Sequence, residues 1–392
     1  NVSGDSGAIL ERGQNATGKV TKVEASKPLI VRNADVPEIN TSSELELDNA
    51  EVTKVTTTGE STINLKGQTK IDKLQANAKT MISAESTGSI IEEISSENAE
   101  VETDEKSEVG LVKATGAAKI TVKGLTKHID ANGGDIFVLG DSSPVISGSA
   151  GTVSVGGNAN PIITANATAV EIHAGGGAGI TVTGSVGSIN TTGSGSIGSI
   201  NIESGSPTVS IAGEVEVEVI AVSGAAAPQI SGEEGSNPII NTIVSTSSNT
   251  VTVNVAASTV IAEDLEKIEG EGAENVTQAV PVLNSIELTS LPKKLVYSID
   301  DTDIDTAGMV VTGNYTVSGV EGFVKKVLSE SDYDVTGWPG DVSAGEYTIT
   351  VTETESEKSA SFSINVVAKE VESISLTALP EKLIYEVGEE ID

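Results

Sequence analysis

The feature that most constrains this sequence is a repeat in its N-terminal two thirds. Between residues 44 and 185 the chain divides into eight successive segments of 16 to 20 residues. Each opens with two apolar residues at positions i and i+2, such as Ile63 and Leu65, and a second apolar group follows after a polar or Gly-rich turn. A period of two buries one side of a strand. The repeat therefore predicts short strands stacked on one another.

A Gly/Ser-rich stretch, GSVGSINTTGSGSIGSINIESGS at residues 184–206, tests this prediction. Its composition is typical of a flexible linker, yet the motif that begins at Val186 returns eleven residues later at Ile197. Repetition at this spacing indicates strands of the same stack. We therefore expect five apolar side chains to point inward: Val186, Ile189, Ile197, Ile200 and Ile202.

The fold class that we predict is all-β, with a parallel β-helix of coils of about 18 residues. One coil cannot bury its inward side chains, whereas stacked coils pair every backbone group with the coils above and below. A β-sandwich and an antiparallel β-roll are the alternatives. A sandwich would need aromatic residues and hairpin loops, and of the nine aromatic residues only Phe137 precedes residue 283. The variable coil length favours a right-handed helix.

The charge and composition exclude several classes of function. The net charge is -34, from 57 acidic and 23 basic residues, which disfavours nucleic acid and anionic lipid as partners. The absence of Cys excludes disulfides, thiol nucleophiles and Cys metal sites. No run of about 18 apolar residues exists, so we expect no membrane insertion within this chain.

The sequence changes character after residue 262. An acidic stretch follows, and SIELTSLPKKLVY at 285–297 recurs 88 residues later as SISLTALPEKLIY. That offset is the size of an Ig-like sandwich. We therefore predict four parts, which are a parallel β-helix (1–262), an acidic cap or linker (263–282), an Ig-like domain (283–369) and the start of a second, truncated Ig-like repeat (370–392).

The third part resembles the bacterial Ig-like (Big) domains, whose pattern includes Leu-Pro-x-Lys-x-x-Tyr and Ala-Gly-x-Tyr-x-Val-x-Val. The matching positions are Leu291, Pro292, Lys294, Tyr297, Asp305, Val310, Tyr315, Ala344, Gly345, Tyr347, Ile349 and Val351. The resemblance implies a noncatalytic spacer or adhesive unit of a secreted bacterial surface protein. Because the second copy stops partway, we expect either that the natural protein continues beyond residue 392 or that this chain is a piece cut from a longer one. The N-terminal part resembles, more loosely, the pectin-lyase-like parallel β-helices of bacterial surface proteins and polysaccharide lyases.

The candidate catalytic residues lie in KHIDANGGDIFVLGD: Lys127, His128, Asp130, Asp135 and Asp141. Enzymes that act on polysaccharides use paired carboxylates in one groove. The alternative is that Asp130 and Asp141 lie at coil corners and that His128 faces solvent, as we also expect of His173. The scarcity of Arg disfavours a lyase, because uronates are usually bound by guanidinium groups.

The candidate calcium ligands are Asp301, Asp303 and Asp305, which follow the 1, 3, 5 spacing of a calcium loop. Thr306 stands where an EF-hand needs Gly, and Thr312 stands where it needs Glu, so an EF-hand is excluded. A looser calcium site and a solvated turn stay as alternatives. No other cofactor is predicted.

The leading hypothesis is a secreted, extracellular protein of the bacterial cell surface with an adhesive or structural role. The β-helix would serve as a stalk or as a face that binds a glycan or host surface ligand, and the Ig-like modules would serve as spacers. One alternative is a carbohydrate-active enzyme, a lyase or hydrolase. Another is a subunit of a surface filament or surface layer, in which residues 371–392 add a strand to a neighbouring chain.

Overall fold

The computed structural model describes residues 7–11, 20–164, 166–234, 236, 238–273, 276–317, 324–339 and 343–368. Secondary structure within these ranges is almost entirely β, with three short 3-10 helices. Residues 370–392, predicted to begin a second Ig-like repeat, lie outside the described residues. The strand addition expected of residues 371–392 lies outside them as well.

The N-terminal part is a parallel β-solenoid. Its strands are β1 Ala8–Glu11, β2 Val23–Ala25, β3 Leu29–Arg32, β4 Asp35–Thr41, β5 Leu45–Asp48, β6 Glu51–Thr57, β7 Ser61–Lys66, β8 Lys70–Ala76, β9 Thr80–Ala84, β10 Ile90–Glu97, β11 Glu100–Thr103, β12 Glu108–Thr115, β13 Lys119–Val122, β14 Leu125–Asn132, β15 Asp135–Val138, β16 Val145–Val155, β17 Ile162–Ile163, β18 Asn166–Ala174, β19 Ile180–Val182, β20 Val186–Gly193, β21 Gly195–Ile202, β22 Thr208–Ile211, β23 Val215–Val222, β24 Gln229–Gly232, β25 Ile239–Ser245, β26 Val251–Asn254, β27 Thr259–Ala262, β28 Ile268–Glu269 and β29 Val276–Gln278.

The pairing of these strands confirms the predicted stack. Almost every strand pairs in parallel with the strand two places later, as β4 does with β6 and β6 with β8. Each coil therefore contributes two strands, and about 14 coils with repeats of roughly 19 residues form one continuous sheet. All pairings between β1 and β29 are parallel, so a sandwich or an antiparallel roll is excluded for this part.

The longer strand of a coil bends partway along its length. In β6 the buried side chains are Val52, Val55 and Thr57, a spacing of three and then two. The register with β8 skips Thr53 at the same place. Because the alternation of a flat strand has a period of two, this break marks a corner. A coil of this kind has three straight segments, a number that the sequence analysis left open.

The solenoid core is one continuous cluster of aliphatic side chains from Val23 to Ile268, and it contains no aromatic ring. Phe137 lies outside it, half-buried beneath the ammonium group of Lys119. The five apolar side chains predicted to point inward from residues 184–206 are all buried. That stretch forms β20 and β21, so the linker interpretation is wrong.

One column of corners is built from residues with a left-handed backbone. Asn49 has φ 49° and Gly67, one coil later, has φ 62°. The Asn49 side-chain oxygen accepts the backbone N–H of Gln68, and a Cβ at Gly67 would lie 2.3 Å from that oxygen. Gly is therefore required where Asn stacks beneath it.

The acidic segment at 263–282 contains the last pairings of the solenoid. A 3-10 helix, Leu265–Lys267, leads into β28, which pairs with β26; a second, Glu271–Ala273, leads towards β29, which pairs with β27. The parallel sheet therefore reaches Gln278. Among the described residues, no helix has the length and apolar character needed to cross a membrane.

The C-terminal module, our name for the described part of residues 282–367, consists of two sheets. Its elements are β30 Val282–Ser290, β31 Val296–Ser298, β32 Val310–Thr316, β33 Val324–Val327, the 3-10 helix Glu330–Asp332, β34 Tyr333–Thr336, β35 Gly345–Glu353 and β36 Ser359–Val367. The first sheet has the order β30-β32-β33 and the second β31-β36-β35-β34. Tyr297, Ile349 and Phe362 belong to one core cluster shared by both sheets.

Candidate functional site

The predicted catalytic histidine is buried between the solenoid and the C-terminal module. His128, in β14, is 3% exposed, and its Nε2 lies 3.2 Å from the backbone oxygen of Leu291. Burial lowers the pKa of His128, and the nearby Lys293 ammonium lowers it further. The expectation that His128 faces solvent is wrong, because the module covers it. His173 is exposed, as expected, and contacts the Thr192 hydroxyl at 2.7 Å.

Asp130 also joins the two parts of the molecule. Its carboxylate accepts hydrogen bonds from Lys293 Nζ, at 2.7 Å, and from the Ser147 hydroxyl. Burial alone would raise the pKa of Asp130, but these two donors outweigh it and the pKa is lowered. The register of β14 with β12 skips Lys127, which marks the corner of this strand, and Asp130 lies beyond it in the continuous part, so the expectation of a corner position is wrong. The charge of Asp130 is paired with that of Lys293, which lies 163 residues later in the sequence.

The other two candidate carboxylates lie at the start of the next strand and in the turn that follows it. Asp135 is the first residue of β15 and accepts the backbone N–H of Thr152 at 3.0 Å. Asp141 lies in the turn after β15 and accepts the Asn158 side-chain amide at 2.9 Å. Lys127 is exposed on β14. Asp130, Asp135 and Asp141 thus make separate contacts with the next coil or with the module.

Asp141 lines an open groove of about 510 Å³ on the solenoid surface. The other lining residues are Glu105, Lys123, Gly124, Leu125, Gly140, Gly157 and Asn158. A Cβ at Gly140 would lie 2.9 Å from the backbone oxygen of Lys123, so glycine allows the two coils to stack closely at this groove. Carboxylate and amide groups beside an exposed Leu125 are able to bind a hydroxyl-rich molecule.

The three candidate calcium ligands are each used within their own turn. Asp301 accepts hydrogen bonds from Lys294 Nζ at 2.9 Å and from the Ser298 backbone N–H at 2.7 Å. The Asp303 carboxylate accepts a hydrogen bond from the backbone N–H of Ile304, and the Asp305 carboxylate accepts one from the backbone N–H of Ala307. Within the described ranges, no group of three or more His, Cys, Asp or Glu side chains could hold a metal ion. The structure does not gather these aspartates into a calcium site.

A column of outward-facing positions follows one wall of the solenoid. The register places one residue of each coil in line, and we call this set the wall column: Glu38, Lys54, Lys73, Glu93, Leu111, His128, Val145, Ile162, Thr181, Asn201, Ala221, Val244, Ile261 and Thr277. Its first four members are charged, and we call them the charged half. We call Val145, Ile162, Ala221, Val244 and Ile261 the apolar half.

The charged half is held by ion pairs between coils. Glu93 lies 2.9 Å from Lys73 Nζ on one side and 2.6 Å from Lys113 Nζ on the other. Burial opposes its ionisation, but the two ammonium groups and the Ser95 hydroxyl lower the pKa of Glu93 to about 2. Its side chain therefore stays charged and links three successive coils.

The apolar half is covered by the first sheet of the C-terminal module. Val310 and Val327 of the module pack with Val145 and Ile162. Val317, just after β32, packs in one cluster with three further members of the apolar half: Ala221, Val244 and Ile261. Strand β32 therefore runs along the solenoid axis, across the strands beneath it, which is an orthogonal sheet packing.

Glu203, directly after β21, lies at the same boundary. Its Oε1 accepts the backbone N–H of Val327 at 2.5 Å. Burial raises the pKa of Glu203 to about 7, although the Val327 N–H and the Lys326 charge oppose the rise. A cleft of about 140 Å³ lies between the two parts, with Tyr315 and Lys326 on the module side and Ser223 on the solenoid side.

The sequence analysis missed this interface, although a signal for it was present. In a strand with one buried side, apolar residues alternate with polar ones. The pairs Val145-Ile146 and Ile162-Ile163 are adjacent, so both sides of those strands are apolar. At these two positions the outward residue is covered by the module, whereas the outward residues of the pairs Ile90-Ile91 and Ile239-Ile240 are exposed.

The comparisons with known proteins give little. No family model matches the chain, and no curated protein matches its sequence. A solved structure to which it is similar is the cell-surface-expressed multi-modular chitinase ChiW from Paenibacillus sp. str. FPU-7, with 12% sequence identity and a TM-score of 0.19. The match covers 71% of this chain and 24% of the chitinase, so the chain spans about a quarter of that protein's length. A likeness this slight defines neither fold nor function.

Proposed function

We propose that this chain is a structural and adhesive component of the bacterial cell surface. The observation that carries the proposal is a parallel ladder of about 14 coils, braced along one wall by a second folded module. Such a ladder pairs its backbone continuously and resists bending. In this role the solenoid is a rigid support that presents its uncovered surfaces to a glycan or host surface ligand.

The contacts of the candidate catalytic groups support a structural role. Asp130 and His128 bind the module, and Asp135 holds the backbone of the next coil. We further propose that the module is a bacterial Ig-like domain, supported by two sheets that share a core around Tyr297, Ile349 and Phe362. It lies against the solenoid wall, so its role here is to brace the solenoid and not only to extend it.

The groove at Asp141 is the surface that we propose for ligand binding. A glycan array and a panel of extracellular-matrix proteins, probed with the full chain, will test it. We expect at least one binder, with affinity reduced about tenfold by Asp141→Asn because one hydrogen-bonding site to the ligand is changed. Glu218→Gln, an exposed carboxylate on β23, is the matched control. If no ligand binds, or if both variants bind alike, the proposed adhesive groove is wrong.

An enzyme acting on carbohydrates is the second candidate, because the groove also holds two carboxylates, Glu105 and Asp141, beside Lys123. General acid and base catalysis by such a pair would cleave a glycosidic bond. Incubation of the full chain with a panel of polysaccharides, followed by reducing-end and unsaturated-product assays, distinguishes the two. Turnover abolished by Asp141→Asn and kept in Glu218→Gln would replace adhesion with catalysis.

A further inference from the structure

Glu203 lies on the seam between the solenoid and the C-terminal module. It follows β21 on the wall that the module covers, and its carboxylate contacts a backbone N–H of β33. Glu203 adds a hydrogen bond to Val327, a residue that also packs against Val145 and Ile162 of this wall. The protonation state of this carboxyl group therefore affects the contact between the solenoid and the module directly.

The charged groups that face Glu203 come from the module. The charge of Lys326, on β33, acts on Glu203, and the charge of Glu203 acts on Tyr315, on β32. On the solenoid, the positions in line with Glu203 on the neighbouring coils are Thr183 and Ser223, which carry no charge.

Lys326 and Tyr315 also interact with charged groups other than Glu203. Asp332 also faces Lys326, while Glu353 and Glu355 face Tyr315. The neighbouring Lys325 is paired with Glu287 at 2.6 Å. An ionised Glu203 is therefore poorly compensated within the seam, whereas a protonated Glu203 leaves only a hydrogen-bonded neutral group there.

We propose that Glu203 is a proton-operated latch, which holds the C-terminal module on the solenoid wall when protonated and loosens it when ionised. The pKa of this carboxyl group is about 7 when docked, against 4.5 for an exposed glutamate. The docked state therefore binds the proton more tightly. Docking weakens as the pH rises from about 4.5 through about 7, by between tenfold and about 300-fold.

Two other groups at the boundary act in the opposite direction. The lowered pKa of His128 favours docking above pH 6.5, and the lowered pKa of Asp130 favours it above pH 3.8; both contributions are lost as the pH falls. Neutralising Glu203 alone therefore removes the weakening of docking at high pH and leaves the weakening of docking at low pH. This difference in sign separates the latch from a general effect of pH.

The experiment follows the backbone amide of Val327 in the full chain by hydrogen exchange, with no ligand present. Protection, corrected for the intrinsic pH dependence of exchange, is measured from pH 5 to pH 8.5 together with the radius of gyration from X-ray scattering. We expect native protection to fall at least tenfold over this range and the radius of gyration to increase. Glu203→Gln keeps its protection at pH 8.5, and Glu218→Gln, exposed on β23, behaves as the native chain.

The same native pH profile in Glu203→Gln, or a flat native profile, overturns the proposal. If Glu203→Gln does not fold, as judged by circular dichroism, Lys326→Met provides the second test. Removing this cation disfavours ionised Glu203, so the midpoint of the native transition moves to higher pH. A midpoint that stays in place overturns the latch.

Discussion

The two halves of the wall column share a backbone and differ in what they contact. Lys54 and Ile162 occupy equivalent outward positions, but Lys54 is exposed to water and Ile162 is buried under the module. The inward residues of both regions belong to the same aliphatic cluster. The inward pattern therefore sets the fold, while the outward pattern decides whether a coil faces solvent or another part of the protein.

The largest expected effect tests the core that both halves share. Ile200 is fully buried and in register with Ile180 and Ile220 on the neighbouring coils. Ile200→Asp places an unpaired charge there, and we expect the free energy of unfolding to fall by at least about 4 kcal/mol. Urea unfolding followed by circular dichroism measures it. Ser194→Asp, exposed between β20 and β21, should be tolerated; equal tolerance of both would restore the flexible linker.

The next effect tests the apolar half. Ile162→Ala removes aliphatic contacts with Val310 and Val327, and we expect a loss of about 2 kcal/mol in the free energy of unfolding. Lys54→Ala, at the equivalent position of the charged half, should change it by less than about 0.5 kcal/mol. Thermal unfolding of the two variants gives the comparison. A similar loss of free energy of unfolding in both variants would mean that contact with the module does not distinguish the apolar half from the charged half.

A smaller effect tests the ion pair across the boundary. Lys293→Met removes the partner of Asp130, and we expect docking to weaken by about 1 kcal/mol at low salt and less at high salt, since both side chains are about one third exposed. Hydrogen exchange in β32 at two salt concentrations measures it. Lys127→Met, exposed on the same strand as Asp130, is the control, and a loss that salt does not change would contradict the ion-pair explanation.

The smallest effect tests the charged half. Glu93→Gln loses two ion pairs whose lysines are both about half exposed. Because water screens these pairs, we expect a change of about 0.5 kcal/mol in the free energy of unfolding at pH 7, well below what the lowered pKa alone would imply. The pKa of Glu93 is lowered to about 2, so its contribution is present above pH 4.5 and is lost as the pH falls towards 2. Urea unfolding at pH 7 and pH 2 measures both values. A difference between native and variant chains that is as large at pH 2 as at pH 7 would exclude ionisation as its cause.

Much of the solenoid was predictable because its core obeys a local rule. The recurring motif identified five inward residues of the 184–206 stretch, and all five are buried. The corner within each long strand was also present in the sequence, as the spacing of Val52, Val55 and Thr57. It was missed because a spacing of three followed by two fits neither a flat strand nor a helix.

The candidate site was harder to predict because its contacts are distant in sequence. Nothing near His128 or Asp130 indicates that Leu291 and Lys293 cover them, since 163 residues separate each pair. Nor does sequence spacing reveal that Asp135 begins β15, that Asp141 lies in the turn after it and that the two make separate contacts. The adjacent apolar pairs at Val145 and Ile162 coincide with the covered wall, but such pairs do not identify the segment that covers it.

The crosswise packing of β32 has a consequence for how the solenoid unfolds. In a stack of repeats, each coil is stabilised mainly by its neighbours, so free coils open one at a time from an end. A strand that contacts both the coil of Val145 and the coil of Ile261 couples all the coils between them. These coils should exchange their amide hydrogens as one cooperative unit, while the coils of the charged half open individually.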